Sequence, residues 1–256
     1  MAVHSRVLPG LDRAFMVGLA GKVALLTGAS GGVGRAIALA LAAQRVRLCM
    51  VGRNFNGLTA VADRARETTN QVLHYSVDLT VEHDIFDIAE RMHKDFGAID
   101  ILVHSAGTIS SGPVESSAVG DLDRQYQTNV RAPYILTQKL LPMIKMSQGQ
   151  IVFINSSLGL NSRANVGTYA ATKHALKALA DSLRDEVNPY GVRVLSVFLG
   201  RTATPMQAAI HDAKGIEYRP ERLLQPDDVA AVVTNALGLP RTAEVTDLSI
   251  RPLLKP

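Results

Sequence analysis

Short apolar runs of strand-like composition alternate with helix-length segments through almost the whole sequence, and this alternation is the strongest constraint on how the chain folds. Strands are expected at residues 23–27, 46–51, 72–76, 99–104, 150–155, 192–198 and 245–250. Helices are expected at 33–43, 54–68, 82–96, 121–144, 166–187 and 226–237, the second of them capped by Asn54 or Asn56. The stretch from Phe198 to Gln225 reads as irregular. Apolar strands separated by helices build a parallel sheet covered on both faces. The expected fold is therefore α/β, a doubly wound Rossmann fold with a seven-stranded, mostly parallel sheet. Its ligand crevice should lie beyond the carboxyl ends of the strands. No linker or repeat interrupts residues 21–256, which are expected to form one domain of dinucleotide binding and catalysis. Residues 1–20 contain Arg6, Asp12 and Arg13, which break any apolar stretch of signal-peptide length. They are expected to form an extension on the surface or at a subunit contact.

Composition excludes several classes. Apolar residues make up 47% and charged residues 20% of the 256, a soluble and globular balance. No apolar run approaches the roughly 20 residues that span a bilayer. The single cysteine, Cys49, sits in an apolar run and has no partner for an internal disulfide, which fits a reducing, cytoplasmic setting. The net charge of +4 is scattered without a Lys/Arg block, so neither nucleic acid nor a membrane is expected as a partner. No metal site is assigned.

The first strand runs into Thr27-Gly28-Ala29-Ser30-Gly31-Gly32-Val33-Gly34 and then into a helix, the setting a dinucleotide site requires. Gly28 permits a tight turn, Gly32 lets the backbone approach a phosphate, and Gly34 lets the helix pack on its strand. With Ser30 and Val33 in the same run, the helix N-terminus offers unpaired N–H groups and partial positive charge to a pyrophosphate. The second strand ends in Val51-Gly52-Arg53-Asn54. An NAD site would place a carboxylate near Gly52. Here glycine removes the repulsion toward a 2′-phosphate, Arg53 offers a planar fork to it, and Ser30 offers a hydroxyl. Residues 1–53 carry seven Lys/Arg against one acid, Asp12, in keeping with NADP(H). A solvated arginine after a strand and an NAD-preferring site are the alternatives. Far downstream, Tyr169 is the only one of six tyrosines with a lysine four residues later, Lys173. That spacing puts both on one helix face, where an ammonium is expected to lower the phenol pKa toward the range of a general acid/base.

The spacing T-G-x-x-x-G-x-G, with Tyr169 and Lys173, resembles the short-chain dehydrogenase/reductase family from Lys22 to about Ile250. The resemblance implies that Ser156, thirteen residues before Tyr169 and preferred over Ser157, orients a substrate carbonyl. It implies that Asn129 holds a water-linked proton path to the lysine, that Lys173 binds the nicotinamide ribose, and that Tyr169 passes a proton to the carbonyl oxygen during hydride transfer. It likewise implies cofactor contacts from Asp78 to the adenine, from Ala106 and Gly107, and from Thr204 to the nicotinamide amide. His104-Ser105 replaces the family's two asparagines before Ala-Gly, and Leu199-Gly200 replaces its Pro-Gly. Residues 201–224 correspond to a substrate-covering loop in which His211 reads as solvated, and His174 reads as a bystander beside the catalytic face. The implied protein is an NADP(H)-dependent oxidoreductase acting on a small carbonyl or alcohol, assembled as a homodimer or homotetramer. A non-catalytic dinucleotide-binding regulator is the competing class, and such proteins lose the tyrosine or the lysine.

Overall fold

The computed structural model describes residues 18–254. Seven strands form one sheet in the order β3-β2-β1-β4-β5-β6-β7. They are β1 Val23–Thr27, β2 Arg47–Gly52, β3 Val72–Ser76, β4 Ile101–His104, β5 Gln150–Ser156, β6 Arg193–Leu199 and β7 Asp247–Ile250. Every neighbouring pair is parallel, where the sequence suggested mostly parallel. The helices are α1 Gly32–Ala43, α2 Phe55–Arg66, α3 Glu82–Phe96, α4 Val119–Tyr126, α5 Ala132–Met146, α6 Gly167–Val187, α7 Pro205–Ala213 and α8 Pro226–Leu237.

Because strand side chains alternate between faces, an all-parallel sheet needs apolar residues on both. In β1, Ala24 and Leu26 enter one core with α1, α2 and α8, while Val23 and Leu25 enter the other with α3, α5 and α6. The same alternation separates Leu48 and Met50 from Cys49 and Val51 in β2. The strand order reverses between β1 and β4, so their carboxyl ends diverge into a crevice at this switch point.

Several expectations need correction. The single helix expected at 121–144 is two helices joined by a π turn, Gln127–Arg131. The stretch expected to be irregular contains α7, started by Thr204, whose Oγ1 accepts from Gln207 N, and by Pro205 at its first position. The fourth and seventh strands begin two residues later than expected. Of the two candidate caps for α2, Asn54 serves: its Oδ1 accepts from Gly57 N at 3.0 Å. Residues 1–17 of the expected extension lie outside the described residues. Leu19 belongs to the α1 core instead of the surface.

The turn between β1 and α1 depends on glycine. Gly28 has φ +66°, and a Cβ there would lie 2.8 Å from the backbone N and Cα of Ala106. A Cβ on Gly34 would lie 2.4 Å from the Gly28 carbonyl oxygen. Gly34→Ala should therefore destabilise the fold by about 1–3 kcal/mol through backbone displacement, measured by urea unfolding.

Candidate active site

A cavity of about 750 Å³ opens at the switch point, within the range of about 300–1,000 Å³ usual for small-molecule and cofactor sites. Of the site residues expected from sequence, all but Asn129 line it.

The glycine turn forms one wall. No side chain caps α1 at Gly31, and a Cβ on Gly31 would meet nothing within 4 Å. The first N–H groups of the helix are therefore bare toward the cavity, a cradle suited to a pyrophosphate. The Thr27 hydroxyl joins this wall to the next by accepting from Ser105 N (3.0 Å) and Ala106 N (3.1 Å). At the end of β2, Arg53 is exposed and forms no ion pair among the described residues. Asp78, after β3, accepts at Oδ1 from the backbone N and hydroxyl of Thr80, at 2.9 and 2.8 Å. These bonds hold its carboxyl below the usual range, with Arg53 helping and burial opposing. His104, in place of an asparagine, is buried, stacks on Phe153 and contacts Thr137 Oγ1 at 2.8 Å. Burial pushes its imidazole down to about 3, so it is neutral.

The opposite wall carries Ser156, Tyr169 and Lys173. Ser156 ends β5, and its Oγ accepts from Leu158 N at 3.2 Å, leaving its own O–H free to donate. Ser157 is exposed. Tyr169 is half-buried, whereas Lys173 is only 4% exposed, and its Nζ donates to Ile154 O at 3.1 Å. Nζ stands 5.8 Å from the Tyr169 ring centroid, within the reach of about 6 Å for a cation–π contact. The expected lowering of the phenol pKa is not found. Burial pushes Tyr169 up to about 12, with the Ser156 hydroxyl opposing, and pushes Lys173 down to about 8. Desolvation disfavours the charged form of each, and at this separation it outweighs their mutual attraction.

Asn129 lies behind this wall, buried, on the π turn. Its Oδ1 accepts from Thr108 N (2.8 Å), while Nδ2 donates to Thr108 O (2.9 Å) and Thr172 Oγ1 (3.0 Å). Both amide donors are taken, so a proton path here would fall to its backbone. Thr204, besides capping α7, places its Cγ2 3.1 Å from where a Cβ on Gly32 would lie. His211 is not solvated but buried at 8% exposure. Its Nδ1 donates to Gln207 O at 2.8 Å, and its ring meets Tyr218 edge-on at 5.4 Å. His174 is exposed and donates from Nδ1 to Ala170 O, consistent with a bystander.

Sequence reasoning missed two positioning amides. Asn155 Oδ1 accepts from Ser156 N at 2.8 Å, and its Nδ2 donates to Lys173 O at 3.2 Å, fixing β5 to α6. Gln125, fully buried, accepts from Ser110 N and donates to Thr168 Oγ1, both at 3.0 Å. The signal for Asn155 was available: it is an amide in an otherwise apolar strand beside the candidate serine.

The chain matches the model of the short chain dehydrogenases over residues 22–215. It is 32% identical over 240 residues to an uncharacterized oxidoreductase of Staphylococcus saprophyticus, covering 93% of this chain and all of the relative. A short-chain dehydrogenase of Shigella flexneri solved with NADP is 30% identical, with TM-score 0.83 over 91% of this chain and 98% of that one. A metagenomic short-chain oxidoreductase in complex with NADP is 28% identical, with TM-score 0.80 over 93% and 100%. The chain therefore belongs to the short-chain dehydrogenase/reductase family of oxidoreductases.

Burial of the Lys173 ammonium has a measurable cost. Its folded value of about 8 lies below the ordinary 10.5, so the folded state carries the full penalty below about pH 8. Between these values the folded protein releases the proton that the unfolded chain keeps, and stability rises with pH. Lys173→Met should therefore raise the unfolding temperature at pH 7, with the gain shrinking toward pH 10, as read by thermal melts at both pH values.

Proposed function

We propose that the chain is an NADP(H)-dependent dehydrogenase/reductase that interconverts a ketone or aldehyde and the corresponding alcohol, with Tyr169 as general acid/base. The observation that carries this reading is one cavity shared by Tyr169, Ser156, Lys173 and the uncapped glycine turn. Gly28, Ser30, Gly31, Gly32, Val33 and Gly34 would cradle the pyrophosphate. Ala106, Gly107 and Thr204 would border the nicotinamide, and Asp78 the adenine. When bound, the nicotinamide supplies or accepts the hydride.

The residues of the chain handle the proton. Ser156 directs its free O–H at the carbonyl oxygen. Tyr169, protonated at neutral pH because its phenol lies near 12, donates to the same oxygen. Negative charge then develops on the phenol, and the Lys173 ammonium beside the ring is placed to stabilise it. Asn155 and Asn129 act as positioning residues that hold α6 against β5 and the Thr108 turn. Retention of both Tyr169 and Lys173 argues against a non-catalytic regulator.

Preference for NADP(H) rests on Gly52 and Arg53. The unpaired guanidinium beside the cavity suits a 2′-phosphate, and the NADP complexes of the Shigella flexneri and metagenomic relatives support it. Exposed Val119, Leu122, Tyr126 and Tyr134 on α4 and α5 support assembly of copies into a homo-oligomer.

Tyr169→Phe should lower kcat about 10²–10⁴-fold while leaving NADPH affinity largely intact, as followed by NADPH absorbance and fluorescence titration. Near-full activity in that variant would sink the mechanism. A Cβ at Gly52 meets Ser30 Oγ at 3.6 Å, an ordinary contact, so an aspartate fits there. Gly52→Asp should turn the kcat/KM preference toward NADH, and Arg53→Ala should weaken NADPH far more than NADH. A wild-type preference for NADH refutes the cofactor assignment.

A further inference from the structure

Beyond Tyr169 the cavity is charged in one sense. Arg163, Arg201 and Lys214 line it from three separate segments: the loop between Ser156 and Tyr169, the turn after β6, and the C-terminal end of α7. Among the described residues none of the three forms an ion pair. Among the described residues, Asp78 is the one acid on the cavity wall, on the β3 side and held by Thr80. Acids of the α7 segment do not answer these cations: Glu217 pairs with Arg219, and neither Glu217 nor Asp212 lines the cavity.

Two of the cations belong to segments other than the glycine turn. Thr204, which packs against Gly32, caps one end of α7 and Lys214 the other, so the two lie roughly 15 Å apart along the helix at about 1.5 Å per residue. Arg163 lies in sequence between Ser156 and Tyr169, the two residues proposed to hold the carbonyl oxygen, and lines the same cavity as both. Its loop is pinned where Gly112 N donates to Asn165 O at 2.9 Å. Lys214 also answers the dipole of α7, but among the described residues Arg163 has no such partner. A cleft wall bearing cations without facing carboxylates concentrates anions.

We propose that the carbonyl substrate carries an anionic group, a carboxylate or a phosphate, held by Arg163 and Lys214, with Arg201 strengthening the field. This rests on the oxidoreductase reading above. The Arg163 guanidinium supplies a planar fork that matches either group.

NADPH-dependent rates on three matched pairs test the proposal: acetoacetate against methyl acetoacetate, levulinate against methyl levulinate, and dihydroxyacetone phosphate against dihydroxyacetone. The first two pairs report a carboxylate and the third a phosphate. In at least one pair, kcat/KM should be about tenfold or more higher for the charged member, the scale of one charge-assisted hydrogen bond. The advantage should fall as salt is added. Arg163→Gln and Lys214→Gln should each bring the charged-to-neutral ratio toward one through the KM of the charged member. The proposal is overturned if neutral members are used as well as charged ones in every pair. It is equally overturned if the variants raise the KM for NADPH and keep the ratio. Tyr169-dependent turnover of neutral ketones in either case leaves the oxidoreductase reading standing. If no compound is turned over, calorimetric titration of the same pairs into the enzyme–NADP⁺ complex decides. Tighter binding of a charged member upholds the proposal, and equal or absent binding by both members of every pair overturns it.

Discussion

The carboxyl ends of β1 and β4 come so close that position 28 has no room for a side chain, and the geometry of the cavity follows from that contact. With Gly28 against the Ala106 backbone, the Thr27 hydroxyl can bond both Ser105 and Ala106. The chain then turns straight into α1, whose bare N–H groups face the crevice because no side chain stands before them. Gly34 allows the helix to lie on the Gly28 carbonyl. A methyl group at Gly28 would force the strand ends apart, and one at Gly34 would lift α1 from its turn, so either would move the walls of the cavity. The wall proposed to bind the pyrophosphate and the wall bearing Ser105 and Ala106 are thus one mechanical unit.

The facing wall is held by buried amides instead of by glycine. Asn155, Asn129 and Gln125 tie α6 to β5, to the Thr108 turn and to the Ser110 loop, with bonds of 2.8–3.2 Å. Buried amides are costly unless satisfied, and these three have partners from distant segments, which specifies a single arrangement of Tyr169 and Lys173. The same enclosure desolvates both groups. It keeps the phenol protonated and makes the ammonium easier to discharge than an exposed lysine. The groups proposed for proton transfer are therefore held in neutral or readily neutralised forms.

The sequence displays the parts of this architecture that depend on local pattern. Apolar runs of strand length had to be buried on both faces, and that alone implies the sheet. The glycine turn and the Tyr169–Lys173 spacing are written in consecutive or near-consecutive residues. What could not be read depends on contacts made across the fold. The segment 205–213 reads as irregular, yet Thr204 and Pro205 begin a helix that packs His211 against Tyr218. The phenol pKa was expected to follow its lysine, but the surrounding wall dominates. Asn129 could be aligned with a family position, but its bonds to Thr108 and Thr172 come from segments that only the folded chain brings together.

The π turn at Gln127–Arg131 also accommodates an extra residue without changing the angular phase of its flanks. A π turn holds one residue more than an α-helical turn, and each residue of an α-helix advances the azimuth by about 100°. Upstream, Gln125 faces the Ser110 loop, whereas downstream Ile135, Leu136, Leu140 and Ile144 face the core. Five residues at the wider π spacing sweep about the same azimuth as four in an α-helix, so the two flanks keep nearly the phase of a continuous helix. The extra residue is felt at the bulge itself, where Asn129 is presented to Thr108 and Thr172 from a turn wider than its neighbours.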